Sequence, residues 1–211
     1  RKCRQDMLRE IRTQALVDHP CVAKLEGVYS SPSHMCLVIE RLIGGSLLDA
    51  LRREGPLRES RAASAVEQLL HAVGHLHERG LVHRDVNLKN FMFESRRRDR
   101  LKLIDFGVCK PWEEGMEPMT RICGTTGCMA PELAKRSYTN KVDLWSVGVA
   151  AHELLTGELP FVDKAGRLVV SQSLSSLSPE AESFVAALLT VAQLASEPRP
   201  RGSADVAICD H

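Results

Sequence analysis

The sequence predicts an α+β fold in which a short strand-bearing N-terminal part precedes a mainly helical remainder, and three observations predict it. Met7, Leu8, Ile11, Ala15 and Leu16 recur at helical spacing. Two short apolar runs, 22–29 and 35–40, flank the turn-rich Ser30-Ser31-Pro32-Ser33 and read as an antiparallel strand pair. Two long helical patterns, at 60–79 and 141–156, then dominate the rest.

The opening helix runs over 6–17 and stops at Asp18-His19-Pro20, because proline disfavours helix in the residue before it. Gly44-Gly45 ends the first lobe, giving a partial N-terminal lobe over 1–43 and a helical lobe over 44–211. Ala63, Val66, Leu69, Leu70, Val73 and Leu76 share one face of the second helix, which ends at Gly80, a residue type favoured just past a helix end. Strand-like triplets follow at 81–83, 91–93 and 101–104, with a polar turn at 94–100 whose Arg96-Arg97-Arg98 reads as solvated. The segment 141–156 is apolar nearly all round and is expected to be a buried helix at the centre of the larger lobe. Helical patterns return at 179–191 and 204–208.

The 211 residues carry 28 Lys+Arg and 27 Asp+Glu, so no bulk positive field is available to bind nucleic acid. No apolar stretch reaches the roughly 18 residues of a membrane span. Seven cysteines, an odd number, lie mostly in apolar or mixed stretches and are expected as buried thiols in a reducing, cytoplasmic setting. Cys123 and Cys128 lack the second ligand pair that a zinc site needs, and His71, His75 and His77 read as helix-surface residues. The chain begins with Arg, as a fragment or processed product would.

The chemistry lies in 82–132. His83-Arg84-Asp85 is followed by Asn90, then Asp105-Phe106-Gly107, then Ala130-Pro131-Glu132, with Asp143-Leu144-Trp145-Ser146-Val147-Gly148 behind them. Taken together and in this order, these motifs resemble the eukaryotic protein kinase family. Residues 82–94 and 155–161 look most like its calcium- and calmodulin-dependent serine/threonine group. Phosphoryl transfer needs a carboxylate to orient the attacking hydroxyl and oxygen ligands to hold magnesium against phosphates. The resemblance gives the first role to Asp85 and the second to Asn90 and Asp105. It implies a two-lobed fold, ATP and Mg2+ as cofactors, and a protein substrate phosphorylated on Ser or Thr.

Further roles follow from the same resemblance. Glu10, nine residues before His19, stands where the family's C-helix glutamate pairs with a phosphate-gripping lysine. Ile39 is the gatekeeper, Glu40 and Leu42 offer backbone groups to adenine, Ser46 follows the hinge toward the nucleotide, and Met92 packs beneath the ring. Residues 124–129 look like a substrate-docking loop, and Glu132 has a candidate structural partner in Arg201. Arg84 is placed to receive a phosphate from the activation segment, with Thr120 a candidate, which implies an upstream activating kinase or regulatory segment.

Three departures from the family pattern stand out. The chain starts at the C-helix, without a glycine-rich loop or the lysine that faces Glu10. Position 87, lysine in serine/threonine kinases, is Asn87, while Lys89 stands where some tyrosine kinases carry an arginine and could supply the charge from another direction. The stretch 162–177 is short for the family's G-helix region. The alternative is therefore a pseudokinase, a binding or scaffold module with weak or no transfer.

Overall fold

The computed structural model describes residues 4–31, 34–162, 168–169 and 177–194. Helix α1, Arg4–Ala15, leads through a short connector into strands β1, Leu25–Ser30, and β2, Met35–Ile39, which pair antiparallel from Leu25↔Ile39 to Ser30↔Met35. No residue of either strand is buried, and Val28, Tyr29, Val38 and Ile39 are all exposed.

An unanticipated helix, α2 (Leu47–Glu54), fills the space between Gly44-Gly45 and Gly55. Its start is fixed by a capping box: Ser46 Oγ accepts from Asp49 N–H at 3.0 Å, and Asp49 Oδ2 accepts from Ser46 N–H at 3.3 Å. Leu47, Ala50 and Leu51 bury its inner face. Helix α3, Glu59–Glu78, and helix α4, Lys141–Thr156, pack side by side. Helix α4 is buried on nearly every side, as its sequence predicts, with Trp145, Val147 and Leu154 in the core. Helix α5, Pro179–Leu194, lies against it. Gly148 permits that approach, because a Cβ there would lie 2.9 Å from Leu188 Cβ. Ser178 fastens the start of α5 to the start of α3, donating through N–H (2.8 Å) and Oγ (2.6 Å) to the Glu59 carboxylate.

Short strands carry the loops of interest: β3 (Leu81–Val82) pairs with β6 (Lys110–Pro111), and β4 (Phe91–Phe93) pairs with β5 (Leu101–Leu103). Strands β7, Phe161–Val162, and β8, Leu168–Val169, form a further antiparallel pair. The connector before β1 is stitched to β5, since Ala23 N–H donates to Leu103 O at 2.9 Å and Leu103 N–H to Cys21 O at 2.8 Å. Among the described residues no helix is long and apolar enough to cross a membrane.

Several sequence expectations are corrected. His77 and His75 are not surface residues: His77 Nε2 meets Asp143 Oδ2 at 2.9 Å, and the His75 ring stacks on His19 with centroids 4.5 Å apart. Both are drawn in because α3 turns this face toward α4 and the connector before β1. Cys36 is exposed, because among the described residues no layer packs over β2. Arg98 is not merely solvated: it leaves the polar turn to pair with Glu54 at 2.6 Å. The expected helix at 204–208, Arg201 and most of 162–177 lie outside the described residues.

Candidate active site

The catalytic-loop candidate leaves β3 with an unusual backbone. Arg84 has φ of 66°, a left-handed conformation costing a non-glycine residue roughly 1–2 kcal/mol. A buried carboxylate on the first turn of α4 holds it there. Asp143, fully buried, accepts from His83 N–H at 2.8 Å and Arg84 N–H at 2.7 Å. Charge-assisted bonds of this kind are roughly twice as strong as neutral ones and offset the backbone strain. The Arg84 guanidinium is itself engaged: Nε donates to Val108 O at 2.7 Å, Nη2 to the same oxygen, and Nη1 to Tyr138 Oη at 3.2 Å. Arg84 is only 8% exposed, so these internal acceptors occupy the side chain read from sequence as a phosphate receiver. Thr120 is exposed.

Asp85 is half-buried at the centre of a hydrogen-bonded knot. Its Oδ1 accepts from Thr125 N–H (2.9 Å), Thr125 Oγ1 (2.7 Å) and Asn87 Nδ2 (2.9 Å), and its Oδ2 accepts from Asn90 Nδ2 (3.1 Å). Thr125 reaches Asp85 because Gly124 turns the chain at φ of 110°, where a Cβ would come within 2.7 Å of Arg84 O. Thr125 and Asp143 belong to motifs the sequence displays, yet neither was singled out as a site residue. Their partners lie 40 and about 60 positions away, and no local pattern encodes such a bond.

The β4–β5 pair brings the two metal-ligand candidates together. Phe91 pairs with Leu103, and Ile104 N–H donates to Asn90 O at 2.8 Å, so Asn90 and Asp105 leave the same end of one hairpin. Asp105 also lies at positive φ, 62°, with Oδ1 accepting from Gly107 N–H at 3.0 Å. Phe106 turns inward, 2% exposed, edge-on to the His83 ring with centroids 5.4 Å apart. One amide oxygen and one carboxylate form a hard oxygen set that suits Mg2+, which keeps several waters and phosphate oxygens in its shell.

On the other side of the hairpin lies the hinge. Ile39 ends β2 at the surface, and Glu40 gives its N–H to Lys24 O at 3.0 Å. Lys102, which sequence reading missed, pairs with the Glu40 carboxylate at 2.7 Å, both side chains mostly buried. Met92 stands opposite Lys102 in register and bridges to Ser46, whose hydroxyl is committed to Asp49 in the capping box. Glu10 is half-buried on α1, and Lys89 is exposed beside Asn90. Glu132 is 4% exposed and its carboxyl is pushed above the usual range by burial.

A strained, carboxylate-anchored catalytic loop, an inward-turned Asp-Phe-Gly and an Ala-Pro-Glu turn in one molecule define a protein kinase domain. The family model so described matches residues 1–205, and the chain belongs to that family. It is 39% identical over 160 residues to a probable myosin light chain kinase of Dictyostelium discoideum, covering 75% of this chain and 51% of that protein. It is 34% identical over 204 residues to a calcium/calmodulin-dependent protein kinase type 1 of Macrobrachium nipponense, covering 90% and 59%. It is 40% identical over 159 residues to the human calcium/calmodulin-dependent protein kinase type IV, covering 74% and 33%. The chain therefore spans about a third to three fifths of the length of these relatives.

Proposed function

We propose that this chain is the catalytic part of a serine/threonine protein kinase that transfers the γ-phosphoryl group of ATP to a hydroxyl of a protein substrate. The observation that carries the reading is the knot around Asp85. Three donors on Oδ1 hold the carboxylate in one orientation, while Oδ2, with one donor, keeps lone-pair capacity for the attacking hydroxyl. Oriented this way, Asp85 accepts the proton as the oxygen–phosphorus bond forms.

Asn90 donates to Asp85 through Nδ2, which leaves Oδ1 to join Asp105 as a magnesium ligand. Bound Mg2+ would neutralise phosphate charge and orient the leaving group. Ile39, Met92 and the backbone of Glu40 and Leu42 supply the adenine site, and the Lys102–Glu40 pair fixes that hinge against the hairpin carrying Asn90 and Asp105. Thr125 links the same carboxylate to residues 124–129, a docking surface for the substrate hydroxyl. The names of two of these relatives support a calcium- and calmodulin-linked regulator.

The test is Asp85→Asn in the full-length protein, assayed by radiolabelled phosphate transfer to a Ser/Thr peptide library. Turnover falls by roughly 10²–10⁴-fold, the usual range for losing a positioned base, while the melting temperature stays nearly constant. Full residual turnover would overturn the assignment of Asp85, and an inactive wild-type protein would favour the scaffold reading.

A further inference from the structure

Asn87 uses both ends of its amide at once. Only 5% exposed, it donates through Nδ2 to Asp85 O (3.1 Å), Asp85 Oδ1 (2.9 Å) and Thr125 Oγ1 (3.1 Å). Its Oδ1 accepts from Lys89 N–H (3.0 Å) and Asn90 N–H (3.2 Å), capping the 3₁₀ turn Leu88–Asn90. The donor end therefore sets the Asp85 carboxylate and Thr125, and the acceptor end sets the turn that delivers Asn90.

We propose that Asn87 is a positioning residue whose amide locks Asp85, Thr125 and Asn90 into one unit, so that this loop depends on asparagine and a cation at position 87 impairs it. The inference rests on the phosphoryl-transfer reading above. A lysine ammonium has three donors and no acceptor, so Lys at 87 strips the cap from two backbone N–H groups even if it still donates to Asp85. An aspartate retains the cap but removes every donor, and it sets a second negative charge about 3 Å from Asp85 Oδ1. The two carboxylates repel one another, which turns Asp85 out of the orientation it shares with Thr125. Alanine removes both ends.

The experiment compares Asn87→Lys, Asn87→Asp and Asn87→Ala with the wild type in the full-length protein, reading kcat, KM for ATP, and the melting temperature. All three variants lower kcat by about tenfold or more with KM for ATP changed less than about threefold, because the group lost positions the reacting atoms. Asn87→Asp lowers kcat in this way with its melting temperature within about 2 °C of the wild type's. It is the deciding variant, since its cap, and hence its fold, is preserved, and a merely structural residue costs no kcat while the fold stays intact. Asn87→Lys turning over as fast as the wild type, or faster, overturns the proposal, as does a wild-type kcat in Asn87→Asp. A wild-type protein without transfer activity instead overturns the phosphoryl-transfer reading on which the proposal stands.

Discussion

Two antiparallel strand pairs carry the two halves of this candidate site, and they are built in opposite ways. In β4–β5 the end residues Phe91, Phe93, Leu101 and Leu103 are buried, packed against α2 and α3. In β1–β2 no residue is buried, and large apolar side chains stand in solvent on both strands. Sheet propensity is similar in the two pairs, so the difference comes from layers: β4–β5 has helices over it and β1–β2 leans only lightly on α1. Asn90 and Asp105, the candidate magnesium ligands, thus leave a rigid support, whereas the candidate hinge leaves a weakly supported one. Local stability follows buried apolar contact, so opening starts on the β1–β2 side.

The largest expected effect comes from Asp143→Ala. It leaves the His83 and Arg84 N–H groups buried without their acceptor and Arg84 in a strained backbone, a loss of about 3–5 kcal/mol in urea unfolding. A loss below about 1 kcal/mol would show that the strong region does not rest on this anchor. The two strand pairs can be set against each other directly. Phe91→Ala costs about 3–5 kcal/mol, as large-to-small changes in packed cores do, while Val28→Ala costs under about 1 kcal/mol. Equal costs would abolish the contrast.

Lys102→Met removes the cation that ties the hinge to β5, at a cost of about 1–2 kcal/mol, between exposed and fully buried ion pairs. Its sharper readout is a raised KM for ATP with kcat little changed, since the hinge loosens while Asp85 does not.

The smallest effect is on pH dependence at the joint between the regions. Burial, with the neighbouring positive charge of Arg79, holds His19 and His75 below the usual imidazole pKa. The unfolded chain therefore takes up protons below about pH 6.5 that the folded chain refuses, so stability is complete above that pH and declines as pH falls through it. His75→Gln flattens this slope in thermal melts between about pH 5 and 7. An unchanged slope would place the pH dependence elsewhere, His152 being the next group lowered by burial.

Much of this architecture is legible without coordinates. The bounds of α3 and α4 follow from apolar spacing, and the three motifs of the catalytic segment can be read in order. Helix α2 escaped because its eight residues are short for a periodicity argument, although Ser46-x-x-Asp49 was a visible capping signal. The stacked His75 and the half-buried His77 escaped for another reason. Helical spacing shows which residues share a face but not what a neighbouring segment brings to it.

The sequence by itself determined the family, the chemical types at Asp85, Asn90 and Asp105, and the near-total burial of α4, because composition and local spacing encode propensity and hydrophobic patterning. Tertiary structure alone decided that Asp143 would hold the catalytic backbone, that Thr125 and Asn87 would share the Asp85 carboxylate, and that Arg84 would be satisfied internally. Each of the long-range bonds joins groups 24 to 60 positions apart. A hydrogen bond requires its partners within about 3 Å, and only the packing of α4 and the turn at Gly124 sets that distance.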